Sequence, residues 1–200
     1  MVDDLIDPPH RTQYIKFINI GVVINMSQQM KMIPFSPPDI SESEINEVCA
    51  ALHSGWITTG PRTKQLERKI ADWIGVERCV CLNSQTACAE LALRLLGIGG
   101  GDEVIVPAYT YTASASVIAH VGATIVMVDC QKDSFQPDYD ALENAITERT
   151  KAIIPVDLGG VPCDYGRIFV IVKRNQNLFR PSNDLQRAIG RIAVCADTAH

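Results

Sequence analysis

Four short apolar runs constrain this chain more than anything else in it. They are "EVIVP" at 103–107, "TIVMVD" at 124–129, "KAIIPVD" at 151–157 and "RIAVCAD" at 191–197. Each is almost continuously apolar rather than alternating, so a strand built on it needs cover on both faces. A fifth run, Cys79 to Leu82, precedes them. Helical segments fall between the runs. Strand and helix thus alternate five times, which predicts a mostly parallel, doubly wound α/β sheet.

The helices carry their own start and stop signals. Ser41-x-x-Glu44 is a capping box, followed by Ile45, Val48 and Leu52 at helical spacing and ended by Gly55. Pro61 opens a second helix with Leu66, Ile70, Trp73 and Ile74 on one face and Gly75 as its stop. A third runs from about Thr86 to Leu96, with Leu91, Leu95 and Leu96 as its expected buried stripe. Small-residue sequence through Ala119, Asp138 to Ile146 and Tyr165 to Arg174 supply three more. Gln176 to Gly190 reads as a polar surface insertion with a short helix near Leu185 to Ile189.

Composition excludes several roles. The net charge of -5 argues against nucleic acid, whose backbone demands a basic patch. "YIKFINIGVVINM", near the start, is too short to span a bilayer and lacks a secretory cleavage site. Residues 1–31 read as an extension outside the fold, which is expected to begin at Met32. The seven cysteines are scattered, with no metal-binding spacing, and read as buried reduced thiols of a cytoplasmic protein.

Ligands of open α/β sheets bind beyond the carboxyl ends of the strands. Those ends hold Asn83 to Thr86, Pro107 to Thr112, Asp129, Asp157 and Asp197 to His200. Ser84, Gln85, Thr86 and Ala87 begin a helix. They suit either a phosphate cradle or a plain N-cap worth about 1 kcal/mol. Gly97 to Gly101 follows a helix and does not fit the dinucleotide pattern, so it reads as a stop and a turn. Tyr111 suits either the core or a flat face for a planar ring. Asp197 leaves a buried strand, where a carboxylate is costly unless partnered. Its partner is either a helix cap or a cationic ring nitrogen.

In order along the chain stand "PFSPPDISESEI", "SGWITTGP", "LGIGGGDEVIVPAYTYTASA", "GATIVMVD", "ITERTKAIIPV" and "ADTAH". Together they resemble the sugar aminotransferases of the DegT/DnrJ/EryC1/StrS family, which are pyridoxal-phosphate enzymes of fold type I. The resemblance covers 32–200, as the N-terminal part of the family's large domain without its C-terminal part or small domain. "SGWITTGP" is similar to members that make 4-amino-4-deoxy sugars on nucleotide carriers.

The resemblance implies pyridoxal 5'-phosphate as cofactor, with Ser84, Gln85, Thr86 and Ala87 around its phosphate. It implies Tyr111 stacked on the ring, Asp197 on the pyridine nitrogen and His200 near the 3-hydroxyl. Trp56, Thr58, Thr59 and Asp157 fall where substrate binds, although many relatives have histidine in place of Asp157. It further implies transamination from glutamate to a nucleotide-linked keto sugar, by a homodimer, in amino-sugar biosynthesis for a surface polysaccharide. The family's Schiff-base lysine lies downstream of Asp-x-x-His, and no lysine of this chain matches it. The chain alone is therefore expected to bind the cofactor weakly and not to turn over. The alternatives are a dehydratase of the same family, and an inactive fragment or non-catalytic dimer partner.

Overall fold

A computed structural model describes residue 34 and residues 37–199 of the chain. The reading of residues 1–31 as an extension, the expected start at Met32 and the role of His200 lie outside the described residues. The chain divides into two compact units, Met1–Ile57 and Thr58–His200. The first contains α1 (Glu42–His53), which opens with the capping box that Ser41 and Glu44 foretold. Its apolar stripe, Ile45, Val48 and Leu52, is exposed.

The second unit begins with α2 (Pro61–Ile74) and α3 (Gln85–Leu95). Then follow β1 (Glu103–Pro107), α4 (Thr112–His120), β2 (Thr124–Val128), α5 (Tyr139–Asn144) and β3 (Thr150–Ile153). The unit continues through α6 (Tyr165–Arg174), α7 (Asp184–Ile189) and β4 (Ala193–Val194). The four strands form one sheet in the order β2-β1-β3-β4, and every pairing is parallel.

The doubly wound expectation holds, and the two-residue period of a strand shows why. Ile105 and Ile153 point to one side, where they pack with Leu142, Ile168 and Ile171 of α5 and α6. Val104, Val106, Ala152 and Ile154 point to the other, against Leu93 of α3 and Val117 and Ile118 of α4. Each such side chain gains about 1.5–3 kcal/mol on burial.

Four expectations need correction. Cys79 to Leu82 is not a strand. No described segment pairs with it, and the Cys81 amide donates to Glu67 Oε1 at 3.0 Å instead. In α3 the fully buried side chain is Leu93, while Leu91 and Leu95 are exposed, because the sheet covers the opposite flank. In α2 only Ala71 is buried, and Trp73 is 91% exposed. The seven cysteines are free thiols, but among them only Cys163 is buried.

The segment 176–190 is anchored rather than loose. Asn183 caps α7, and the Asn183 and Gln186 amides both donate to the Leu96 carbonyl, at 2.9 and 2.8 Å. Buried Lys151 donates to the Arg180 carbonyl. Among the described residues no helix is long and apolar enough to cross a membrane.

Candidate functional site

Asp197 lies just past β4. Its backbone continues the sheet: Asp197 N–H donates to Pro155 O at 2.8 Å, and Asp157 N–H donates to Asp197 O at 2.9 Å. The residue is 2% exposed. The Ser114 hydroxyl donates to its Oδ2 at 2.9 Å, and the Ala199 amide donates to Oδ1 at 3.2 Å. Ser114 is fully buried in the first turn of α4, with Thr110 Oγ1 3.0 Å from its hydroxyl. Among the described residues no lysine or arginine pairs with this carboxylate.

Tyr111 is the N-cap residue of the same helix, with no side-chain cap bond. Its carbonyl accepts from Ser114 N–H at 3.1 Å, and the residue is 67% exposed. Ser114 therefore ties Tyr111 to Asp197. Sequence reasoning missed Ser114 and placed Thr110 only within the general strand-end stretch Pro107 to Thr112. The available signal was a small hydroxyl at position 114, one helical turn before the buried Val117 and Ile118.

α3 supplies the third element. Ser84 is its N-cap, with Oγ accepting from Ala87 N–H at 3.1 Å and the carbonyl accepting from Cys88 N–H at 3.1 Å. The cap reading thus holds for Ser84, whose hydroxyl already occupies the Ala87 amide. The Gln85 and Thr86 amides have no acceptor among the described residues. No acidic side chain occupies the first turn, so the positive end of the helix dipole is uncompensated there. A cavity of about 460 Å³ separates Gln85, Cys88, Ala89 and Ala92 of α3 from Cys195, Ala196, Thr198 and Ala199 around Asp197. The helix start and the Asp197 segment therefore share one cleft, while Tyr111 and α4 do not line it and are joined to Asp197 through the Ser114 hydroxyl.

The remaining residues are placed differently. Asp157 Oδ1 is committed inside the protein, accepting from the Tyr165 hydroxyl at 2.9 Å and from Cys163 N–H at 2.8 Å. Burial, reinforced by this carboxylate, pushes the Tyr165 hydroxyl well above the usual tyrosine range. Burial and the same neighbour push the Cys163 thiol up to about 11. Thr58 and Thr59 are exposed at the start of the second unit and do not line the cavity, while Trp56 is exposed near the end of the first unit.

With this geometry established, comparison with known proteins is decisive. The model of the DegT/DnrJ/EryC1/StrS aminotransferase family matches residues 38–179. The chain belongs to that family. This family member is 42% identical over 147 residues to the spore coat polysaccharide biosynthesis protein SpsC of Bacillus subtilis, covering 74% of this chain and 38% of SpsC. Among solved structures it resembles Spr1654 of Streptococcus pneumoniae, called a sugar aminotransferase, in its PMP form. The TM-score there is 0.81 at 60% identity, over 84% of this chain and 42% of that one. It also resembles DesV of S. venezuelae, with a TM-score of 0.62 at 37% identity, over 67% of this chain and 37% of that one. The chain thus spans about two fifths of the length of these relatives. Both the family and the mostly parallel α/β fold read from the motifs are borne out.

Proposed function

We propose that this chain is the cofactor-holding part of a pyridoxal-phosphate-dependent aminotransferase that makes amino sugars. The observation that carries the reading is Asp197. A carboxylate this deeply buried costs several kcal/mol unless a cation or strong donors compensate it. One hydroxyl and one amide serve it, and no lysine or arginine among the described residues does. The protonated nitrogen of a pyridine ring fits that need. The group fits the other residues too, with an open aromatic face at Tyr111 and unpaired amides at the start of α3.

Bound pyridoxal phosphate supplies an electron sink, strongest when its ring nitrogen is protonated. Asp197 keeps that proton on the nitrogen, and Ser114 holds Oδ2 so that the carboxylate cannot turn away. Tyr111 would offer its exposed aromatic face to the ring. The Gln85 and Thr86 amides, aided by the α3 dipole, take the phosphate dianion. Ser84 orders the turn that presents them.

The acceptor is a nucleotide-linked keto sugar and the donor is glutamate. Thr58 and Thr59 serve the substrate side, whereas the Asp157 carboxylate is taken up by Tyr165 and Cys163, and the working unit is a cytoplasmic homodimer. The name of SpsC supports a polysaccharide destination. The test has two arms. Pyridoxamine 5'-phosphate, which has no aldehyde to react with surface lysines, should bind the 200-residue chain in a calorimetric titration. The complete product of the reading frame should aminate UDP- or dTDP-linked 4-keto sugars only when glutamate is present. Absence of both would refute the proposal.

A further inference from the structure

Two serines on α4 use their hydroxyls differently. Ser116 does what a serine inside a helix commonly does, donating back to its own helix at Ala113 O, 3.2 Å away. Ser114 is fully buried, and its hydroxyl instead leaves the helix for Asp197 Oδ2 at 2.9 Å. The same backward bond is open to it. Tyr111 O, three residues earlier, accepts the Ser114 amide at 3.1 Å and keeps a second lone pair.

The contact that distinguishes Ser114 is with Thr110, whose Oγ1 lies 3.0 Å from the Ser114 hydroxyl. Distance alone does not say which oxygen donates, but the proton count does. An ionised carboxylate only accepts, so the single Ser114 proton goes to Asp197. Thr110 must then supply the proton of its own bond to Ser114. The order is Thr110 O–H to Ser114 O–H to the Asp197 carboxylate, and each bond polarises the next. Thr110 is placed to hold this order. Two residues before it, Ala108 N–H donates to Val128 O at 2.8 Å, which carries the β1–β2 pairing past the strand end. Its branched side chain also has few χ1 choices.

We propose that Thr110 is a positioning residue of the cofactor cleft, holding the Ser114 proton on Asp197 and off the Ser114 helix. This rests on the reading of Asp197 as the partner of a pyridine nitrogen, and it adds the group that keeps Asp197 aimed. Without the Thr110 hydroxyl, Ser114 turns back to Tyr111 O, and Asp197 keeps the Ala199 amide as its side-chain donor.

The test is calorimetric titration of pyridoxamine 5'-phosphate into the 200-residue chain and its variants. Thr110→Val nearly keeps the shape and removes the donor. It should weaken binding about fivefold, and Thr110→Ser should restore it. In a Ser114→Ala background Thr110→Val should cost nothing further, because the bond it breaks is already gone. By NMR of pyridoxamine phosphate labelled at the ring nitrogen, the bound nitrogen should be protonated at neutral pH in the wild type and in Thr110→Ser, and less so in Thr110→Val. A loss of packing alone would not produce that change. Thr110→Ala repeats the test if the valine variant does not fold. Additive losses in the double variant, or equal affinity and an equal nitrogen signal in wild type and Thr110→Val, would overturn the role of Thr110 and leave the cofactor reading standing. Absence of binding to the wild type would overturn that reading, and the role of Thr110 with it.

Discussion

Ile105 and Trp73 are both large apolar side chains on elements whose sequence periods announced them. One is fully buried at the centre of the sheet, and the other stands almost wholly in solvent on α2. The same contrast separates Leu93 from Leu95 on a single helix. A period tells which side chains share a face. It does not tell whether anything covers that face. In the sheet region, β1 to β4 and their crossover helices cover each other. On the outer flanks of α2 and α3 no described element does so.

Substitutions can break this comparison. Ile105→Ala leaves a cavity between two packed layers and should lower the unfolding free energy by about 2–5 kcal/mol in urea titrations. Trp73→Ala should change it by no more than about 0.5 kcal/mol. Equal costs would show that α2 is covered in solution. Ser114→Ala comes next. It strips a donor from a buried carboxylate and should cost about 1–3 kcal/mol, with a parallel loss of pyridoxamine phosphate affinity. A stability loss with unchanged affinity would separate Asp197 from the ligand.

The comparison also explains what the sequence could show. Parallel strands covered by helices on both faces leave continuous apolar runs, so all four strands and the two-layer cover were legible. Helix bounds were legible where a cap was written, as at Ser41, Pro61 and Asp138. Cys79 to Leu82 was not legible, because its apolar run announces a strand while pairing depends on a neighbour elsewhere in the chain. In the candidate site, Asp197 and Tyr111 were visible as residues placed after strands. Ser114 was not, because its role depends on a contact 83 positions away in sequence. For Ala87 the cap reading and the cradle reading both stood until the Ser84 hydroxyl was located.

Two smaller effects sharpen the contrast between the sheet and its surroundings. Burial alone would raise the carboxyl pKa of Glu103 at the start of β1, but hydrogen bonds from Thr147 and Arg149 outweigh it, and the net shift is downward. Its stabilising contribution is therefore present above the ordinary carboxylate pKa and is lost as pH falls through the lowered value. Glu103→Gln should flatten the fall in urea midpoint between about pH 5 and about pH 3. A profile that falls as steeply as the wild type's would remove Glu103 from the account. Last, with its thiol held up to about 11, Cys163 should be about one part in a thousand thiolate at pH 8. Mass-resolved alkylation of the native chain should label exposed Cys49 and Cys88 well before Cys163. Early labelling of Cys163 would mean that the β3 exit opens readily.

The central claim is that Asp197, held by Ser114 beside Tyr111 and the start of α3, is built to receive a cationic pyridine ring. Calorimetric titration of pyridoxamine 5'-phosphate into the wild-type chain and into Asp197→Asn at neutral pH tests it most directly. The account predicts measurable binding to the wild type and an affinity at least about tenfold weaker in the variant. Equal affinity in the two chains, with both folded by circular dichroism, would contradict it.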